Sequence, residues 1–390
     1  MPNGVVPDLS DTSDALTPDP CPLNSELLPL NVRTHRISNV DIDPSSVHLP
    51  DADLDALRSD PEISEHNYSF TTLRPHGSRL YLGTTNMRNR ILWCFDPENG
   101  TFEDLEYSRI GGEYDIKIHR SLEHDPRDDV FYGVSSGLHN EDVYHEAPGA
   151  PIFRFDPRTK TIESLGIPLE HEYTQTIQFD PRRRLLYGFT YHTFSFYVFD
   201  VDERKTIFHA LPGSIAHLSA IDDDGCIWST WCRDRHFIFK YDPSINKIVW
   251  TRKRFPEGGN SYMYPGAGPI DCMLNGGDGY LYVALETGSL VRLDPKTVAC
   301  EYLGRPSPYP RMPALILGTD GLFYGTCGDD WNVYIYTYDR RTNSFSVLRK
   351  LECEGVSCYR PHDIAIVGSS IFVGETDNPK RSGYLWEVQQ

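Results

Sequence analysis

Long apolar runs are missing from this sequence. Nothing in it approaches the roughly 18 to 20 consecutive apolar residues that cross a bilayer, so a soluble protein with no membrane partner is expected. Basic charge is also scarce. Lys and Arg number 37 against 56 Asp and Glu, a formal net charge of −19, and a field of that sign repels phosphate backbones and anionic headgroups. Nucleic acid is therefore not an expected partner, although a local cluster of Arg, Lys and His in one cleft would still accept an anionic sugar. The opening residues, Met1 to Asp8, lack the basic stretch and apolar core of a signal peptide. A cytoplasmic location is expected, or secretion if a leader has been removed. Closely paired cysteines are absent too. The nine cysteines are scattered without CxxC spacing and read as buried free thiols, as at Cys94, Cys226 and Cys272; Cys353 and Cys358 are the pair placed to bridge in an oxidising compartment. Helical periodicity is nearly absent, with Asp51 to Arg58 as one short candidate helix.

What the chain does have is a repeat. An apolar-aromatic strand ending in a small residue recurs as Leu80-Tyr81-Leu82-Gly83, Phe131-Tyr132-Gly133, Leu186-Tyr187-Gly188, Ile227-Trp228-Ser229, Leu281-Tyr282-Val283, Phe323-Tyr324-Gly325 and Ile371-Phe372-Val373-Gly374. The mean spacing of these seven copies is about 48 residues, the range of four-stranded propeller blades. After six of the copies a second strand ends in aspartate, at Asp96, Asp156, Asp200, Asp242, Asp294 and Asp339. Aspartate before Pro or another turn former is hairpin chemistry, so these carboxylates read as structural corners. The seventh copy stops one strand short. The sequence thus predicts an all-β chain: a single seven-bladed β-propeller over residues 35–390, preceded by an extended arm over 1–34. The missing strand should come from the N-terminal side, around Thr34 to Asp41, which would remove an exposed edge.

In such a ring the inner strands, and the loops after the second strands, converge whatever their separation in sequence. Read as an inner strand, Glu113 to His119 alternates, placing Ile116 and Ile118 on one side and Asp115, Lys117 and His119 on the other. Charges on a partly buried face must be paired or functional, and both readings stand at this point. His139 follows the second strand of that blade. Blade 3 offers Tyr173 on its inner strand, then Tyr191 and His192; blade 4 offers His217 and, beyond it, Arg233. Arg88 follows the first copy, and the last blade carries His362-Asp363. Histidine, tyrosine and arginine crowd blades 2 to 4, a one-sidedness that a passive scaffold does not need.

The stretch Tyr114 to His119 with His139, together with Phe179 to Gly188, Gly374 to Asn378 and Ser382 to Trp386, resembles the β-propeller polysaccharide lyases, the ulvan-lyase type and the L-rhamnose-α-1,4-D-glucuronate lyases among them. The resemblance implies β-elimination beside a uronic acid, on a uronate-containing polysaccharide such as a rhamnosyl-glucuronate chain, by a monomer needing no cofactor. His119 and His139 match that group's two histidines and Tyr173 its catalytic tyrosine. Its arginine has no counterpart, since Tyr191 and His192 stand there. Arg233 is the substitute carboxylate binder and Lys117 the second choice, with Tyr191, His192, His217, Arg88 and His362 as further substrate contacts. Two alternatives remain at this stage. One is a hydrolase or lactonase holding calcium through Glu286, Asp271, Asp329, Asp363 and Glu375; the other is a binding propeller without turnover.

Overall fold

The structure, a computed structural model, describes residues 30–41, 60–137, 145–191, 193–256 and 267–389. Seven four-stranded antiparallel sheets follow one another along the chain. Their first strands are Ser69–His76, Leu122–Asp125, Thr174–Asp180, Ala220–Ile221, Ile270–Asn275, Ala314–Leu317 and Arg360–Val367. Each of these strands touches the first strand of the next sheet, and the last touches the first, so they form the closed inner ring of a seven-bladed propeller. The recurring aromatic strands are the second strand of each blade. Glycine ends several of them because a third-strand ring fills the space: a Cβ on Gly133 would collide with Phe153, and one on Gly188 with Tyr197. Apolar clusters pack between neighbouring blades, as where Tyr132 of blade 2 meets Ile177, Phe179 and Tyr197 of blade 3.

All six recurring aspartates sit in the corner between third and fourth strands. Each accepts the backbone N–H two residues ahead, at 2.8 to 3.0 Å. The candidate helix 51–58 lies outside the described residues. A helix does form just after it, Pro61–His66, where the Asp60 side chain caps the N–H groups of Glu62 and Ile63.

The N-terminal side supplies the missing strand, but earlier than expected. Asn31–His35 pairs antiparallel with Leu385–Gln389, Asn31 opposite Gln389 and His35 opposite Leu385. Residues 31–34 therefore belong to the last blade and not to the arm, because buried Val32 packs in the cluster around Trp386 and Val388. Truncation to a chain starting at Arg36 should cost roughly 3 kcal/mol, from one buried valine and a strand's worth of ladder bonds. Urea denaturation of the truncated and full chains measures this directly, and equal midpoints would contradict it.

The cysteine expectation concerned burial and bridging. Of the eight described cysteines all are free thiols, and five are fully buried. Cys353 and Cys358 are not bridged: Cys353 lies on the small hairpin Glu352–Cys353/Val356–Ser357 while Cys358 packs into the core. Among the described residues no helix is long and apolar enough to cross a membrane.

Candidate active site

Four inner strands share a β-bulge near their start. Pairing with the second strand skips one residue in blades 1, 3, 5 and 7, and the skipped residues are Thr71, Gln175, Asp271 and His362. A bulge re-aims what it carries. Here these four residues meet the segment leading into blade 2, and together they plug one end of the central channel.

That segment is not the strand its alternation suggests. Glu113 to His119 is irregular, and the inner strand of blade 2 begins only at Leu122. Lys117 makes isolated bridges to Thr85 and Ser136, and these hold the segment between blades 1 and 2. Asp115 leaves the expected charged row. Its carboxylate accepts from the Gly112 N–H at 2.6 Å and from the Ser135 hydroxyl at 2.6 Å, and burial raises its pKa. It is a local fastener. His119 and Lys117, by contrast, both line the cleft.

The centre of the cleft is a pair of imidazoles. His119 Nδ1 donates to the Gln175 carbonyl at 2.8 Å and His362 Nδ1 donates to the Thr71 carbonyl at 2.8 Å. A carbonyl can only accept, so both hydrogens are committed to the Nδ1 atoms. The two Nε2 atoms lie 2.8 Å apart, a hydrogen-bond distance, with the Gln175 amide 3.3 Å from that of His119. One added proton would bridge them. Burial, and then the charges of Lys117 and Arg120, hold the His119 imidazole well below its usual range; burial and Arg120 do the same for His362. Burial thus works against charge on this pair.

Arg120, with a φ of 47°, reaches across the channel and donates to the carbonyls of Asp271 and His362 at 2.8 Å each. It ties blade 2 to blades 5 and 7, directly behind the imidazole pair. Beside it, Arg311 grips Asp271 with two bonds of 2.7 Å. Against the burial that would raise it, Arg311 and His217 hold the Asp271 carboxyl well below the usual range. His217 Nδ1 donates to Asp271 at 3.2 Å and lies 3.5 Å from Glu286.

Around the pair, Lys117, His217, Arg311, Arg360, Pro361, Thr376 and Asp377 complete a small cleft open to solvent. Arg360 is engaged by Asp329 at 3.1 Å and Asp330 at 3.4 Å. Lys117 differs. Among the described residues no carboxylate lies within 4.0 Å of its ammonium; burial lowers its pKa and the more distant Asp377 counteracts this.

The structure thus gathers four of the sequence candidates, Lys117, His119, His217 and His362. Others it places elsewhere. Tyr173 precedes its strand and points into the core between blades 2 and 3, 1% exposed, where burial, foremost, and Asp115 raise its pKa; the bulge gives the channel-facing place to Gln175 instead. Tyr191 is half-buried against Phe194 and does not line the cleft. Arg233 is exposed in the turn after its strand, and Arg88 is exposed beside Glu65 at 3.9 Å; neither lines the cleft. His139 and His192 lie outside the described residues. Arg120, Gln175, Arg311 and Arg360 were missed as site residues. Their one sequence signal is arginine or glutamine beside an inner strand, and the bulge that turns such residues inward leaves no mark in composition.

The five carboxylates considered for calcium do not form a cage. Glu375 is held by Arg381, Asp363 by Arg74 and the Leu73 N–H, and Asp329 by Arg360. Only Asp271 and Glu286 come together, with His217, as a possible metal-holding group, and the Asp271 oxygens are already taken by Arg311. The fit to a hard, oxygen-loving cation is poor.

No known family profile and no curated protein matches the sequence. Among solved structures, a catalytically inactive variant of virginiamycin B lyase from Staphylococcus aureus with quinupristin is similar at a TM-score of 0.61 and 12% identity, over 93% of this chain and 99% of that one. The selenomethionine-substituted form of virginiamycin B lyase from the same organism gives a TM-score of 0.59 and 14% identity, over 86% and 97%. At such identities the likeness establishes the propeller fold alone.

Proposed function

We propose that this propeller is a lyase that cleaves a sugar chain by β-elimination next to a uronic acid, with rhamnosyl-glucuronate linkages as the first substrates to try. One observation carries the reading: a buried imidazole pair whose charged form is disfavoured shares a cleft with a lysine ammonium that has no carboxylate within 4.0 Å among the described residues, in a protein of net charge −19. Elimination needs both parts. The proton next to a carboxylate is too weakly acidic until that negative charge is met by a cation, and Lys117 is placed to meet it. A base must then take the proton, and a base is useful only if it is unprotonated at working pH. His119 and His362 satisfy this together. The pair removes the proton from the carbon bearing the carboxylate, the electron pair left behind forms the carbon–carbon double bond, and the carbon–oxygen bond on the adjacent carbon breaks. The same pair returns the proton to the departing oxygen, so no water is consumed and the separate tyrosine acid is not required. Arg360, anchored on Asp329, also lines the cleft.

Incubation with uronate-containing polysaccharides, followed by ultraviolet absorbance of the new double bond and by product mass, tests the reading. Products heavier by one water would identify a hydrolase instead. Lys117→Met should lower kcat/KM by about 100-fold, the scale of removing one charge-stabilising donor. With a methyl-esterified uronate the loss should shrink toward parity, because there is no carboxylate charge to meet; an equal loss on both substrates would remove Lys117 from this role.

A further inference from the structure

We propose that His76, His124 and Asp129 form a binding site for a borderline divalent transition metal, with zinc as the probe ion, at the opposite end of blades 1 and 2 from the cleft. His76 is the last residue of the inner strand Ser69–His76, which carries Thr71 at its cleft end, and His124 sits near the end of Leu122–Asp125. At about 3.3 Å of rise per residue, His76 lies roughly 16 Å along the strand from Thr71. Asp129 closes the tight corner after His124. Its φ of 55° turns the chain back into the strand Val130–Val134.

Three separate backbone positions therefore deliver their donor atoms to one point. The Nε2 atoms of His76 and His124 lie 2.7 and 3.1 Å from the same carboxylate oxygen of Asp129, and the two rings stand 4.7 Å apart. Two donors bound tetrahedrally to one zinc at about 2.0–2.2 Å end up roughly 3.4 Å from each other, so an opening of about half an ångström would admit the ion. Two imidazoles and a carboxylate suit zinc, nickel or copper better than calcium or magnesium. The rings lean on Phe131, with Tyr81 against His76, which fixes their planes. All three side chains keep one side in solvent, leaving room for water on a fourth position. The net charge of −19 draws cations to the protein as a whole.

The competing account is that both imidazoles merely donate to the carboxylate. Isothermal titration of chelator-stripped full-length protein with zinc chloride separates the two. The expected result is one equivalent of zinc that weakens by tenfold or more in His76→Gln and in His124→Gln and is gone in the double variant, with circular dichroism unchanged. Absence of that equivalent from the wild type would overturn the proposal, as would its persistence in the double variant, which would assign the ion to the His217 group or to thiols. Should the double variant fail to fold, Asp129→Asn gives the same two outcomes, since asparagine tolerates the positive φ of this corner. The titration needs no elimination activity, so its result is independent of the function proposed for the cleft.

Discussion

His362→Asn will lower the elimination rate by about 100- to 10,000-fold, the usual worth of a positioned general base, and His119→Asn will do the same. The two losses should not add. The two Nε2 atoms lie 2.8 Å apart, so the base is the pair, and removing either member removes the shared proton position. The double variant should therefore be hardly slower than the slower single variant. Steady-state ultraviolet assays on all three settle the point; full activity in either single variant would sink the assignment. The pH dependence supplies a second readout. Both imidazoles are held well below their ordinary value of 6.5, first by burial and then by neighbouring cations. The acid limb of kcat/KM should therefore fall well under pH 6.5. The linked stability effect has a definite sign. Below 6.5 the unfolded chain takes up protons that the folded pair resists, so the protein loses stability as pH falls from 6.5 toward the folded values, and regains it as pH rises.

This pair was only half legible in the sequence. The ring itself was plain, because a spacing of about 48 residues, an aromatic second strand and an aspartate corner recur with every blade and each has a local cause. Strand alternation put Lys117 and His119 on one face, and both do line the cleft, although the stretch is not a strand; its bridges to Thr85 and Ser136 hold it there. The bulges were invisible. Each inserts one residue into an inner strand, and with a side-chain period of two that flips the next residues between channel and core. Tyr173 and Gln175 share one parity along the strand, yet the tyrosine enters the inter-blade core and the glutamine the channel. Arg311 is turned by a φ of 74° that no propensity predicts for arginine. Loop reach was equally hidden, since Arg233 and Arg88 follow the right strands but end in solvent. The stretch Phe179 to Gly188, part of the resemblance, holds Arg184, which is bound to Asp125, Asp128 and Asp202 far from the imidazoles in a network that serves the fold.

Glu375→Ala will destabilise the protein by about 3–5 kcal/mol, the cost of breaking a buried ion pair from one side. Glu375 stands on the second strand of the closing blade and is fully buried. Arg381 donates to both its oxygens, at 2.7 and 3.0 Å, and the backbone N–H groups of Tyr359 and Tyr384 and the Asn378 amide add bonds of 2.8 to 2.9 Å. Alanine would strand all of these donors at once. The Arg381 charge is the costliest of them, because the guanidinium is itself largely buried and stacked 3.7 Å over the Tyr384 ring. Removing that charge as well should therefore recover part of the loss, so Glu375→Ala/Arg381→Met is expected to be more stable than Glu375→Ala alone. Guanidinium denaturation of the three proteins decides it: a Glu375→Ala midpoint within about 1 kcal/mol of wild type would show that water reaches the pocket. Thr376 and Asp377, the next two residues on the chain, line the cleft. The Glu375 knot thus also fixes the part of the cleft wall formed by Thr376 and Asp377, and Glu375→Gln, which keeps the shape and loses the charge, should raise KM before it unfolds the ring.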